Sequence, residues 1–186
     1  MSRFTLTHLP LAGLKRIERK PMIDARGSFA RLFCARELAA AGWAKPIAQI
    51  NHSYTAQRGT VRGLHFQYPP HAEMKLVICL RGEVWDVAVD LRAGSPTFLG
   101  WHAERLSAEN GAALLIPEGF AHGFQTLTDE VELLYLHTHP YVPEAEGRIH
   151  PLEARLAIAW PLAITGLSER DAGAAPLPAD FGGVAA

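Results

Sequence analysis

Two histidines carry the clearest chemical signal in this sequence. His65 lies in GTVRGLHFQ (Gly59–Gln67) and His122 in GFAHGF (Gly119–Phe124), each inside an apolar, strand-like run bracketed by glycines. Burying an imidazole costs free energy unless it has a polar partner or a ligand. With an ordinary pKa of ~6.5, histidine can take or give a proton at working pH, and it also binds metals. Two such strands facing each other would set two imidazoles in one pocket. Proton transfer and metal binding are both open at this point, beside the plainer alternative of two satisfied core histidines.

Strand alternation brings further groups to that pocket. Val61, Gly63, His65 and Gln67 share one face, as do Lys75, Val77 and Cys79, and Leu133, Tyr135 and His137. If these faces line an interior, His65, Lys75 and Tyr135 converge with His122. A buried lysine and a buried tyrosine each need a polar partner or a ligand. Taken singly, Lys75 reads as well as a snorkelling strand end and Tyr135 as a core aromatic. Arg62 has the opposite parity from His65, so either Gly63 sits in a bulge or Arg62 serves another part of the site. A base, a phenol and a cation in one cavity suit proton removal beside a ketone. The base takes the proton, the cation holds the enolate oxygen, and the second acid returns a proton on the other face. This chemistry requires no cofactor, and the sequence has neither a GxGxxG fingerprint nor a P-loop.

The elements that must hold these groups are short. Turn signals recur at Arg26–Gly27, Arg81–Gly82, Ala93–Pro96, Glu109–Gly111 and Pro117–Gly119, with Val-, Ile-, Leu-, Phe- and Trp-rich runs between them. That pattern predicts an all-β sandwich or barrel in a single domain over 1–186. MKLVICL, Arg81–Gly82 and EVWDVAVDL read as a hairpin, with Trp85, Val87 and Val89 on one face of the second arm and Asp86 and Asp90 on the other. A helix is expected at Ala35–Ala41, ended by Gly42. The Ala/Gly/Pro-rich tail after Asp171 reads as irregular, beyond about 178 especially, with frayed last residues.

Gly111–His122, GAALLIPEGFAH, has the spacing of the second half of the cupin pattern, a double-stranded jelly roll. Metal-binding cupins carry His-x-His and a downstream Glu in the first half. Here Gly63–Gln67 occupies that place and Glu73 is the Glu candidate. Gln67 is a poorer transition-metal ligand than imidazole, so no metal site is expected. The metal alternative, a cupin oxygenase or isomerase, would use His65, Glu73 and His122. A non-catalytic sugar-nucleotide binder is the other alternative.

The formal net charge is -1 and the pI is about 6.8, which gives no field for nucleic acid or an anionic membrane. No apolar run reaches the ~20 residues of a membrane helix. Cys34 and Cys79 sit in apolar surroundings without metal or redox spacing and read as reduced core residues. A cytoplasmic protein is expected.

Read together, the segments resemble the dTDP-4-dehydrorhamnose 3,5-epimerase family of nucleotide-sugar cupins. The resemblance runs from about Leu11 to Leu177. It is carried by DARGSFARLF, QINHSY, GTVRGLHFQ, KLV, DVAVDLRAGSPTF, LSAEN, IPEGFAHGF, LLYLHTHPYVPEAEG, AWP and LSERD in that order. It implies metal-independent inversion at C3, C5 or both of a nucleotide-linked 4-keto-6-deoxyhexose. In it His65 matches the catalytic base and Asp171 the carboxylate behind it. Tyr135 matches the proton donor on the other face, and Lys75 the cation beside the C4 oxygen. Arg26, Gln49, Asn51, Arg62 and His122 match substrate and diphosphate contacts. Glu146 and Arg170 match nucleotide contacts, and Tyr141 the aromatic stacked on the base. The resemblance also implies a homodimer with exchanged N-terminal strands, in which Arg26 and Phe29 complete the neighbour's site. The sequence departs from the family pattern at Ser28, Arg31, Glu73, Met74, Leu136 and Arg148–Ala159. None of these removes the acid or the base, and several fall in the substrate-binding shell.

Overall fold

Short apolar runs separated by turn residues can bury their faces only by packing sheet on sheet. The computed structural model, which describes residues 2–185, has that form. In chain order its strands are β1 (Phe4–His8), β2 (Lys15–Arg19), β3 (Met22–Asp24), β4 (Gly27–Phe29), β5 (Gln49–Thr55), β6 (Val61–Gln67), β7 (Lys75–Arg81), β8 (Glu83–Asp90), β9 (Trp101–Ser107), β10 (Ala112–Ile116), β11 (Phe120–Thr126), β12 (Val131–His137) and β13 (Glu146–Arg148). Two single-turn helices accompany them, α1 (Ala35–Leu38) and α2 (Glu169–Ala172). The first sheet has the order β1-β2-β10-β7-β12-β5 and the second β13-β6-β11-β8-β9; β3 and β4 form a separate hairpin. The architecture is the expected all-β, cupin-type jelly roll.

Period-two alternation divides the apolar residues into three layers. Val77, Cys79, Leu114 and Leu133 of the first sheet meet Val84, Ala88, Phe120 and Phe124 of the second, filling the closed end of the barrel. On the outside of the first sheet, Leu76, Ile78, Leu115 and Leu136 pack with Leu38, Ala41 and Trp43. Each fully buried Leu or Ile here contributes roughly 1.5–3 kcal/mol. The helical segment is as expected: α1 continues as a 3-10 turn, Ala39–Ala41, and stops at Gly42, which has φ 97°. On the outside of the second sheet, Leu64, Phe66, Val87 and Val89 pack with Ile149, Leu156 and Val184.

Two expectations are corrected. MKLVICL and EVWDVAVDL are not a hairpin. Both edges of β7 are taken by β10 and β12, and both edges of β8 by β9 and β11. Arg81–Gly82 is a corner at which the chain leaves one sheet for the other. Gly82 has φ 73°, and a Cβ there would lie 2.5 Å from the Thr128 hydroxyl. The face assignment in β8 does hold, with Val87 and Val89 turned outward and Val84 and Ala88 inward. The tail is irregular but is held in place as far as Val184. The Val184 amide donates to the Leu91 carbonyl at 2.7 Å, its carbonyl accepts from Ala93 at 2.8 Å, and its side chain is buried. Cys79 is buried, Cys34 is only half-buried, and neither is in a disulfide. No helix among the described residues is long and apolar enough to cross a membrane.

Candidate active site

The site begins with an irregularity in the pairing of β6 and β11. His65 is opposite His122 and Arg62 is opposite Phe124, so β6 carries one more residue than β11 over this stretch. That is a bulge at Gly63–Leu64. Gly63 has φ 122°, and a Cβ would meet the Gly123 Cα at 2.6 Å, so only glycine allows the two strands to approach there. The bulge settles the parity of Arg62. Arg62 and His65 both line one cavity of about 690 Å³, a volume suited to a small ligand.

His65 stands on one wall of this cavity with Asp171 behind it. The distance from His65 Nε2 to Asp171 Oδ1 is 2.6 Å. Ser168 accepts from the Asp171 amide at 3.1 Å, which seats the first turn of α2. Burial works to raise the Asp171 carboxyl, but His65, Ser168 and the Gly63 amide together hold it below its ordinary value. An ionised carboxylate can only accept, so Nε2 carries the hydrogen and Nδ1 is the basic nitrogen of the neutral ring.

Tyr135 stands on the opposite wall, on β12 of the first sheet. Its hydroxyl is 3.3 Å from the Ser53 hydroxyl, and its ring meets the His122 ring edge-on at 6.0 Å. Burial pushes the phenol well above its usual ~10. It is therefore protonated at neutral pH.

Lys75 lies at the mouth end of β7 and is buried. Its ammonium donates to the His65 carbonyl at 3.1 Å and pairs with Glu73 at 3.1 Å. Gln67 donates to Glu73 at 2.8 Å and to the carbonyls of His71 and Pro140, and it accepts from the Val142 amide at 2.6 Å. Its amide is thus spent on holding the loops around the mouth. In the metal alternative, His65, Glu73 and His122 were the ligands. Each is already paired, with Asp171, with Lys75 and Gln67, and with Asp86. Among the described residues no group of three or more His, Cys, Asp and Glu side chains is disposed to hold a metal.

The remaining expected residues divide by position. Asn51, Arg62, His122, Tyr141, Glu146 and Arg170 line the cavity with the four above. Arg62 is anchored on the Thr55 hydroxyl and the Tyr54 carbonyl. Glu146 gathers Arg148, Arg170 and the Tyr141 hydroxyl at the rim. Gln49 stands just behind the lining, bonded to Asn51 and to the Tyr141 amide. Arg26 and Phe29 lie elsewhere, on the exposed β3–β4 hairpin, where Arg26 is paired with Asp24.

Sequence reasoning missed Asp86 as a member of the site. Its Oδ1 lies 2.8 Å from His122 Nε2, and it is wholly buried. Burial raises its carboxyl, an effect that His122 and Lys75 only partly oppose. The signal was present, since Asp86 is a carboxylate alternating with Val, Ala and Trp in a strand, but its partner is set by long-range register. His137, which alternation puts on the Tyr135 face, has no role in the sequence reading. Its ring stacks on Tyr135 at 6.2 Å, its Nε2 is 3.4 Å from Asn51, and it lines the same cavity.

Comparison with known proteins follows the same outline. A family model described as dTDP-4-dehydrorhamnose 3,5-epimerase matches residues 8–179. The chain is 44% identical over 168 residues to a dTDP-4-dehydrorhamnose 3,5-epimerase of Sinorhizobium fredii, covering 88% of this chain and 84% of that one. It is similar to the crystal structure of the dTDP-6-deoxy-D-glucose-3,5-epimerase of Legionella pneumophila in complex with dTDP-4-keto-L-rhamnose. There the TM-score is 0.90 and the identity 40%, over 98% of this chain and 99% of that one. It is also similar to a 3'-monoepimerase of Streptomyces bikiniensis in complex with dTDP-quinovose, with TM-score 0.82 and 36% identity over 90% and 85% of the two chains.

Proposed function

The chain belongs to the dTDP-4-dehydrorhamnose 3,5-epimerase family, and from that premise we propose that it inverts C3, C5 or both of a dTDP-linked 4-keto-6-deoxyhexose. The observation that carries this reading is the opposition of His65 and Tyr135. One is on β6 of the second sheet and the other on β12 of the first, and both line one cavity with Lys75.

In this reading the C–H beside the ketone gives its proton to His65 Nδ1, and the carbonyl oxygen takes the electrons as an enolate. Asp171 holds the ring and stabilises the imidazolium that forms. Lys75 stabilises the enolate oxygen. Tyr135 then delivers its hydroxyl proton to the opposite face of the same carbon, so the substrate loses one proton, gains one and is inverted. Solvent restores both residues for the next turnover. The low-dielectric surroundings that keep the phenol protonated also strengthen its contact with a developing carbanion.

Arg62 is assigned to the diphosphate, with Gln49, Asn51 and His122 as further substrate contacts. Tyr141, Glu146 and Arg170, clustered at the rim, are assigned to the nucleoside. We further propose one domain, whose tail packs back on the second sheet, working in the cytoplasm as a homodimer. Support for the dimer comes from the β3–β4 hairpin. It exposes Met22, Ile23 and Phe29 and pairs with no other strand among the described residues, and a lone two-stranded hairpin is marginal in water. A neighbour receiving that hairpin would gain Arg26 and Phe29 at its own cavity.

The test is solvent exchange. Incubated in deuterated water with dTDP-4-keto-6-deoxyglucose, the protein should place deuterium at C3 or C5 with inversion there. A substrate recovered unlabelled at both carbons would overturn the reading.

A further inference from the structure

His137 lines the cavity beside His65 and His122 and has no role in the chemistry above. It lies two residues beyond Tyr135 on the same face of β12, opposite Gln49 on β5 and Lys75 on β7. Two geometrical facts distinguish it. The first is its ring, which lies nearly parallel to the Tyr135 ring at an interplanar angle of 22° and a centroid distance of 6.2 Å, within the offset-stacking range. The second is a relay of hydrogen bonds whose polarity is fixed from one end. The Tyr141 amide can only donate, and it does so to Gln49 Oε1 at 2.9 Å. Gln49 must then present its NH₂, which donates to Asn51 Oδ1 at 2.9 Å. Asn51 in turn presents its NH₂ to His137 Nε2 at 3.4 Å. Nε2 is therefore an acceptor, and the hydrogen of the neutral ring sits on Nδ1.

We propose that His137 is the positioning residue for Tyr135, a ring oriented by the Tyr141–Gln49–Asn51 relay whose face holds the phenol at the angle from which it protonates the sugar. This rests on the reading of Tyr135 as proton donor. The surroundings agree with a ring that takes no proton itself. Burial first, then the charges of Lys75 and His122, bring the His137 imidazole down to about 3. With His122 meeting the phenol edge-on and His137 lying along it, the ring is held by contacts in two directions. The relay also ties this clamp to the loop that bears Tyr141 at the rim.

The readout is the ratio of deuterium incorporated to carbon inverted, because a mis-aimed donor lets His65 remove and return protons without inversion. His137→Ala should raise that ratio about tenfold, while His137→Phe, which keeps a flat ring beside Tyr135 but cannot accept from Asn51, should raise it by less, about threefold. A wild-type ratio in His137→Ala, an equal loss of exchange and inversion, or a Phe variant as defective as Ala would overturn the proposal. The second measurement needs no substrate. Nitrogen-15 histidine spectra of the free wild-type protein near pH 7, assigned with His137→Phe, should show His137 as the neutral Nδ1–H tautomer. An Nε2–H or doubly protonated ring would overturn it. Because this signature is independent of turnover, a wild-type protein inert on 4-keto sugars would count against the proposed activity and leave the ring geometry separately decided.

Discussion

His65 and His122 sit opposite each other on adjacent strands, and each bonds through Nε2 to an aspartate, at 2.6 and 2.8 Å. The pairs are chemically alike and environmentally opposed. The His65 side chain is 38% exposed, while that of His122 is 7% exposed and that of Asp86 fully buried. Asp171 is held below its ordinary pKa by its partners, and Asp86 is raised above its own by burial. Asp171 has both oxygens engaged, by His65 and the Gly63 amide, whereas Asp86 Oδ2 has no partner among the described residues. The difference teaches what a histidine–aspartate pair needs in order to react. An ionised carboxylate with satisfied oxygens supports an imidazole that can change charge in contact with a ligand. The more deeply buried pair, with Asp86 behind the cavity wall, fixes the position of the His122 ring, which lines the cavity and meets Tyr135 edge-on.

The strongest way to break this contrast is to remove the open histidine. His65→Ala should lower both solvent exchange and inversion by about 10³–10⁴-fold, measured by NMR in deuterated water. Wild-type exchange would remove His65 as the base. Asp171→Asn should cost about 10²–10³-fold in exchange while the fold survives, since an amide can present its NH₂ to Nε2 and favour the wrong tautomer. Tyr135→Phe should separate the two steps, slowing inversion about 100-fold and exchange by less than about tenfold. Equal losses would argue against the donor role.

Loss of the buried carboxylate should show in stability more than in chemistry. Asp86→Asn should change exchange by less than about tenfold and lower unfolding free energy by about 1–3 kcal/mol in urea titrations, because the new amide would bury its NH₂ where the Asp86 Oδ2 finds no partner among the described residues. A large catalytic loss with unchanged stability would reverse the assignment. The smallest effect expected is one of sign, in unfolding measured between about pH 3 and 6. Asp171 has a lowered folded pKa, so its contribution is present above its unfolded value of about 3.9 and is lost as pH falls through the folded value. The stability advantage of wild type over Asp171→Asn should shrink on acidification. Asp86 has a raised folded pKa, so its contribution is present below its unfolded value and declines as pH rises through the folded value. The advantage over Asp86→Asn should move the other way, and parallel curves for the two variants would erase the contrast.

What was legible in the sequence was local. Alternation alone put His65, Lys75 and Tyr135 on inward faces, because the side-chain period of a strand is fixed at two. Glycine placement announced the bulge at Gly63 as one of two options, and Gly42 marked the end of the helical segment. What was not legible depended on which strand lies beside which. Arg81–Gly82 has the chemistry of a turn, but residues in a turn do not say whether the next strand pairs with the last or crosses to the other sheet. Asp86 meets His122 across 36 positions, through the register of β8 on β11. The tail looked frayed because nothing in Ala/Gly/Pro composition says that Val184 fills a gap beside Leu91. His137 reads as one more strand residue until β5 and β12 are aligned and the relay from Tyr141 appears.

The most direct test of the central claim, that a base and a phenol act from opposite walls on one acidified carbon, is a single comparison in deuterated water. Wild type, His65→Ala and Tyr135→Phe would each be incubated with dTDP-4-keto-6-deoxyglucose, and label and configuration at C3 and C5 read by NMR. The account predicts label with inversion in wild type, neither in His65→Ala, and label with retention in Tyr135→Phe. Label with full inversion in Tyr135→Phe, or label at the wild-type rate in His65→Ala, would contradict it.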